Sequence, residues 1–311
     1  MKKSVKVFAP ATVANFIVGY DIIGFALEEP GDIVEVSLNN KDKIEIIDIK
    51  SDYSLPFDIE KNTATIPILE LLNEHNINIG LDIKIEKGLP IGSGLGSSAA
   101  SAVAAIYALN LLLDERFSKI QLLKYLQLSE KMVSGSPHAD NVAPSLLGGI
   151  VIIQNYNPLS VKKLNLDFDY YVSIITPDIA IKTKAARNML PENVKLKDAV
   201  TQWANIAAMI SALYEQDDDL LGLSLKDIII EPVRANLIPY FYDMRDIALK
   251  KRAICFGISG SGPSVFFLNR NKAEAEVIIR EISEFLYKKN ISHKKFVTKI
   301  NNIGPKVLDI K

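Results

Sequence analysis

The chain has 311 residues, more than one hydrophobic core usually serves, so two domains are expected, divided as 1–157 and 158–311. An apolar fraction of 48% and a charged fraction of 23% are those of a soluble globular protein, and a net charge of −1 argues against nucleic-acid binding by bulk electrostatics. The single cysteine, Cys255, cannot form an internal disulfide, which fits a reducing compartment.

Met1-Lys2-Lys3 and Ala9-Pro10-Ala11 mimic the ends of a signal peptide. Only Ser4–Phe8 lies between them, interrupted by Lys6, which is far short of an apolar core segment. The apolar run Phe16–Leu27 is broken by Gly19, Asp21 and Gly24 and is too short to span a bilayer, so a cytoplasmic protein without membrane contact is expected. Apolar-polar alternation predicts strands over 4–8, 32–38 and 43–49, and another where Leu81, Ile83 and Ile85 alternate with Asp82, Lys84 and Glu86. Helices are predicted over 64–74, 98–113 and 118–133, then a strand over 148–153. Pro158, among Asn155, Asn157 and Ser160, marks the expected boundary. Beyond it come strands near 170–176, 254–258, 264–269 and 295–300, and helices near 200–214, 237–250 and 272–289. The elements interleave without long parallel βαβ spacing, so an α+β sandwich is favoured over a doubly wound sheet.

The segment Pro90-Ile91-Gly92-Ser93-Gly94-Leu95-Gly96-Ser97-Ser98-Ala99-Ala100-Ser101 carries the most information. Three alternating glycines let the backbone turn its amides inward, and the helix that follows adds free N–H groups and the positive end of its dipole. The result is a cradle for an anion, most plausibly a phosphate chain, above a nearly all-apolar helix. No Lys-Ser/Thr follows the last glycine, which excludes a Walker A loop, and the spacing also fails the dinucleotide fingerprint.

Five segments, in order along the chain, resemble the kinase superfamily of galactokinase, homoserine kinase and mevalonate kinase (the GHMP kinases), with the best match to its homoserine kinases. They are Ala9–Asn15 with Gly19–Gly24; the Pro90–Ser101 loop; Ser134–Pro144 continuing to Gly148-Gly149; Thr183–Arg187 with Leu190-Pro191; and Glu231–Arg234 with Gly257–Ser264. The chain departs from the family pattern at Val13, where Ser is usual, at Ile17-Val18 in place of Gly-Pro, and at Tyr20 in place of Phe.

The resemblance implies an α+β fold of two domains, the first like ribosomal protein S5 domain 2 and the second ferredoxin-like, with the nucleotide between them. It implies ATP-dependent phosphorylation of the L-homoserine hydroxyl, a step toward threonine, and homodimers are common in the family. Residues 90–101 would bind ATP, joined by Gly260, Ser261 and Gly262 of the second glycine loop. Asn62 resembles the adenine contact and reads equally well as a helix cap. Mg²⁺, which takes hard oxygens and keeps several waters, would be held by Ser98 and Glu130; taken alone, Glu130 reads as a helix-surface acid. Arg187 and Arg234 offer planar forks to a carboxylate, Asp21 a partner for an ammonium, and Asn15, His138 and Asn141 neutral hydrogen-bonding groups. Thr183 would contact substrate or phosphate. Mevalonate kinase-like members assign alcohol deprotonation to the Asp of the Asp140-Asn141 pair. Catalysis by in-line approach and transition-state stabilisation, with Asn141 orienting the hydroxyl, is favoured here, and Asp140 stays a candidate base. The rival readings are a kinase for mevalonate or shikimate, which lack the ammonium, and a non-catalytic nucleotide-binding regulator.

Overall fold

The computed structural model describes residues 2–166, 169–179, 181 and 183–311, and the side chains of Ser134, Thr183 and Lys184 lie outside that description. A larger sheet holds β1 (Ser4–Ala14), β2 (Ile23–Asn39), β3 (Ile44–Lys50) and β4 (Gly80–Glu86), with β11 (Lys306–Ile310) at its far edge, in the order β11-β1-β2-β4-β3. The hairpin of β5 (Ile150–Tyr156) and β6 (Leu159–Lys163) branches from β2 and completes seven strands. Pro158 therefore sits in a hairpin turn within this sheet, and the sheet also takes a strand from the C-terminal end of the chain.

Against one face of this sheet pack α1 (Ile66–Glu74), α2 (Ser97–Leu112) and α3 (Lys119–Ser134). Fourteen of the sixteen residues of α2 are buried, as its continuous apolar sequence requires. Val5, Val7, Val34, Val36, Leu81, Ile83 and Ile85 supply the sheet side of this core, at the alternate positions that the sequence pattern marks. The pattern is silent on the second half of β1 and the first half of β2. The last six residues of β1 and the first five of β2 are buried throughout, because both faces are covered there, and a strand buried on both faces loses its period of two.

The smaller sheet is antiparallel, in the order β10-β7-β9-β8: β7 (Tyr171–Pro177), β8 (Phe256–Ile258), β9 (Val265–Asn269) and β10 (His293–Lys299). One face packs on α9 (Phe241–Lys250) and α10 (Lys272–Lys288). The other meets α6 (Leu196–Glu215), α7 (Asp218–Ser224) and the bent end of the larger sheet. Phe16, Phe25 and Phe266 pack edge-on at that junction, with ring centroids 4.8 and 5.7 Å apart for the Phe16–Phe25 and Phe25–Phe266 pairs. Shorter helices are α4 (Val142–Leu147), α5 (Thr183–Asn188) and α8 (Glu231–Arg234), the last continued by a 3-10 turn, Ala235–Leu237. Among the described residues no helix is long and apolar enough to cross a membrane.

Candidate active site

The glycine loop joins β4 to α2 and is locked against the second glycine loop, residues 259–264. Ser259 Oγ donates to the Gly94 carbonyl at 2.7 Å and the Ser264 amide to the Ser93 carbonyl at 3.0 Å. Gly94 has φ +81°, and a Cβ there would lie 2.5 Å from the Ser259 carbonyl oxygen and 2.8 Å from that of Gly262, so only glycine fits. Gly96, with φ +65°, caps α2, and a Cβ on it would strike Thr12 Oγ1 at 2.2 Å and Asn141 Oδ1 at 2.8 Å. From the other side the Thr12 amide donates to the Leu95 carbonyl at 3.1 Å. Pro90 accepts from Ser93 Oγ at 2.9 Å and Ile91 is exposed at the rim. Within α2, Ala99, Ala100 and Ser101 are buried and the Ala100 amide is used by the Gly96 carbonyl, so these residues brace the loop from below.

At the start of α2, Ser98 Oγ donates to Glu130 Oε1 of α3 at 3.1 Å. Glu130 is buried, and burial pushes its carboxyl up to about 7, with the Ser98 hydrogen bond acting in the opposite direction. A hydroxyl and a carboxylate converging beside an anion cradle are hard oxygen donors of the kind Mg²⁺ takes.

The second cluster is built on residues 15–21, where Asn15, Ile17 and Asp21 have φ of +72°, +63° and +61°. Left-handed backbone at non-glycine residues costs roughly 1–3 kcal/mol each and persists where its surroundings impose it. Here Asn15 Oδ1 accepts the Asp21 amide at 3.1 Å, Asn15 Nδ2 donates to the Gly260 carbonyl at 2.9 Å, and Tyr156 Oη donates to the Asp21 carbonyl. Asp21 then takes both terminal nitrogens of Arg187, at 2.8 and 3.0 Å, with His138 Nδ1 at 3.7 Å. Burial holds His138 below the ordinary imidazole value, which favours its neutral form. Arg234 is buried and donates to the Gly260 carbonyl at 2.8 Å. Both guanidiniums lie over the Tyr20 ring, that of Arg187 5.3 Å and that of Arg234 5.1 Å from its centroid.

Three buried nitrogens of this cluster, Arg187 Nε, Arg234 Nε and His138 Nε2, have no hydrogen-bond partner among the described residues. Unsatisfied buried polar groups are rare in native proteins and call for an explanation. Thr12 Oγ1 donates to Asn141 Oδ1 at 2.8 Å, placing Asn141 beside Gly96. Asp140 is buried, and burial followed by the charge of Asp21 raises its carboxyl to about 8.

The sequence-derived set thus divides unevenly. Asp21, Arg187, Arg234, His138 and Asn15 converge, and Ser98 meets Glu130, which proves to be buried and not a surface acid. Asp21 and Arg187, expected to take opposite ends of a ligand, hold each other. Gly260 serves through its carbonyl, which joins Asn15 and Arg234; its neighbour Ser261 is buried and Gly262 turns the loop at φ +78°. Asn62 is occupied locally: its Nδ2 donates to the Pro56 carbonyl at 2.8 Å and its Oδ1 accepts the Ala64 amide at 3.0 Å. Thr183 opens α5, and its side chain lies outside the described residues. Thr12, Tyr156 and the platform role of Tyr20 escape the sequence, because their partners are 129, 135 and more than 160 positions away. Cys255 is buried, and burial pushes its thiol up, so it is an inert core residue.

Comparison with known proteins gives the same pattern. The family model for the GHMP kinases N terminal domain matches residues 62–149, and that for GHMP kinases C terminal matches 209–288. The homoserine kinase of Chloroherpeton thalassium is 38% identical over 318 residues, covering 98% of this chain and 100% of the relative. That of Methanococcus maripaludis strain C5 is 38% identical, covering 90% and 93%. The crystal structure of homoserine kinase from Cytophaga hutchinsonii superposes with a TM-score of 0.95 at 44% identity, over 99% of this chain and 98% of that one. A mevalonate kinase structure matches at TM-score 0.71 and 18% identity, which speaks to the fold alone. With such identity along nearly its whole length, the chain belongs to the homoserine kinase family of the GHMP kinases.

Proposed function

We propose that this chain transfers the γ-phosphoryl group of ATP to the side-chain hydroxyl of L-homoserine, giving O-phospho-L-homoserine and ADP. The observation that carries this reading is the pairing of an anion cradle with a second cluster suited to a zwitterion. That cluster holds one carboxylate, two guanidiniums and three buried nitrogens without partners among the described residues. Homoserine supplies a carboxylate for the guanidiniums and an ammonium for Asp21. Its hydroxyl would then reach toward Asn141, which follows His138 by three positions and stands beside Gly96.

The amides of 92–98 and the dipole of α2 would hold the triphosphate. Ser98 and Glu130 would hold Mg²⁺, which when bound neutralises charge on the phosphates. Asn141, fixed by Thr12, orients the hydroxyl for in-line attack on the γ-phosphorus; the new O–P bond forms as the bond to the ADP oxygen breaks, and the hydroxyl proton passes to an oxygen of the transferred phosphoryl group and from there to solvent. Asp140, raised to about 8, is mostly protonated at neutral pH, so it is poorly suited to take the hydroxyl proton there. Orientation and stabilisation of the transferring charge therefore carry the rate.

Mevalonate and shikimate would leave Asp21 without a partner, and a purely regulatory nucleotide binder would have no need of a second cluster so equipped. An ADP-release assay across homoserine, mevalonate and shikimate tests the proposal. Selective turnover of homoserine is expected, and selective turnover of either of the others would overturn it.

A further inference from the structure

A buried ionic cluster beneath the glycine loop has no part in the chemistry above. Asp32, within β2, is 0% exposed, and Lys87, one residue past β4, has a side chain only 5% exposed; the two are ion-paired. Asp32 Oδ1 accepts the amides of Gly88 at 3.0 Å and Leu89 at 3.2 Å, where the chain enters the loop. Asp32 Oδ2 accepts from Ser101 Oγ at 2.6 Å, where the chain has already left the loop for α2. Lys87 Nζ spans the same gap, donating at 2.8 Å both to the Ser97 carbonyl and to Ser101 Oγ. Every proton of the ammonium has an acceptor, and the carboxylate accepts from the entry and the exit of the loop alike.

Such a pair is weak evidence for added stability, because burying two charges costs about as much as their attraction returns. What it provides is geometry. The residues between Leu89 and Ser97 form an arc held at its entry by the Asp32 carboxylate and at its exit by the Lys87 ammonium on the Ser97 carbonyl, and the intervening amides are those that would face phosphate. The second glycine loop and Thr12 hold the crest of the arc at Ser93, Gly94 and Leu95, and the ionic pair holds its two feet.

We infer that Asp32 and Lys87 form a clasp that presets the loop for ATP, making them positioning residues for the nucleotide with no direct contact to the homoserine site. The inference rests on the proposed kinase function. If it holds, opening the clasp weakens ATP capture selectively, and substrate binding on the far side is untouched.

The test compares the wild type with the paired variant Asp32→Asn/Lys87→Met, which removes both charges together, and with the milder Ser101→Ala. Initial rates give KM for ATP and for homoserine separately, kcat at saturating ATP, and Tm. The paired variant is expected to raise KM for ATP at least tenfold and Ser101→Ala about threefold, with KM for homoserine unchanged and kcat within threefold. Folded variants with wild-type KM for ATP, or with both KM values moving together, would overturn the clasp. If the paired variant does not fold, the same criteria applied to Ser101→Ala decide. A wild type that fails to turn over ATP with homoserine would instead remove the function on which the inference stands.

Discussion

Replacing Asp21 with Asn probes the substrate cluster at its most discriminating point. The Asp21 carboxylate occupies both terminal nitrogens of Arg187, at 2.8 and 3.0 Å. A zwitterion repairs what it breaks, because its carboxylate replaces Asp21 on Arg187 and its ammonium replaces Arg187 on Asp21. An anionic alcohol such as 4-hydroxybutanoate breaks the same pair and leaves Asp21 uncompensated, a repulsive element that rejects it. In Asp21→Asn, homoserine loses a charged hydrogen bond worth about 1.5–3 kcal/mol, so kcat/KM should fall roughly 10- to 150-fold. 4-Hydroxybutanoate should move the other way, since the Arg187 guanidinium that would take its carboxylate is no longer held by an opposing charge. The side chains of the pair are 27% and 21% exposed, so the gain is held to about 1 kcal/mol, near fivefold in kcat/KM. ADP release with each alcohol, at fixed saturating ATP, measures both changes. Parallel loss on the two substrates, or no loss on homoserine, would refute the exchange of partners.

Asp140→Asn should leave kcat near the wild-type value at pH 7. With the carboxyl raised to about 8, only about one molecule in ten is ionised there. A loss of roughly 10²–10⁴ would instead make Asp140 the general base, as would a wild-type kcat that climbs through pH 8 and a variant profile that stays flat. Glu231 is likewise raised, from 4.5 to about 7, first by burial and then by Asp227. Its folded value lies above its unfolded one, so its contribution to stability is complete below pH 4.5 and lost as pH rises through 7. The loss is on the order of 3 kcal/mol, and Glu231→Gln should flatten that part of the denaturant-midpoint curve; an unchanged slope would count against the assignment. Gly96→Ala should abolish ATP binding, measured by equilibrium titration, because its Cβ must displace Thr12 from Asn141; near-normal affinity would show that the loop does not depend on that fit.

Sequence alone disclosed the glycine loop and the buried helix behind it, because each signature is local, while Asp21, His138, Arg187 and Arg234 stood out through segments that resemble the GHMP kinases. Alternating glycines, an unbroken apolar run and Asp-Asn or Pro-Val-Arg segments can be seen within a dozen positions. What stayed hidden is pairwise and distant. Lys87 reads as a charge at a strand end, and nothing nearby announces that Asp32, 55 positions earlier, receives it. Asp21 and Arg187 were both legible as ligand groups, but their mutual bond across 166 positions was not. Strand β11 was missed for a different reason: its five residues are all exposed, so they carry no burial pattern to read. The β5–β6 hairpin was obscured by Asn155, Asn157 and Pro158, whose turn chemistry resembles that of a linker.

The three phenylalanines at the junction of the sheets have a consequence for how the molecule holds together. Phe16 and Phe25 come from the first 25 residues, Phe266 from the last 50, and the core they anchor also takes Val172, Ile174, Met209 and Leu213. Neither half owns that interior. Severing the polypeptide between the two sheets would accordingly bare an oily seam on both fragments.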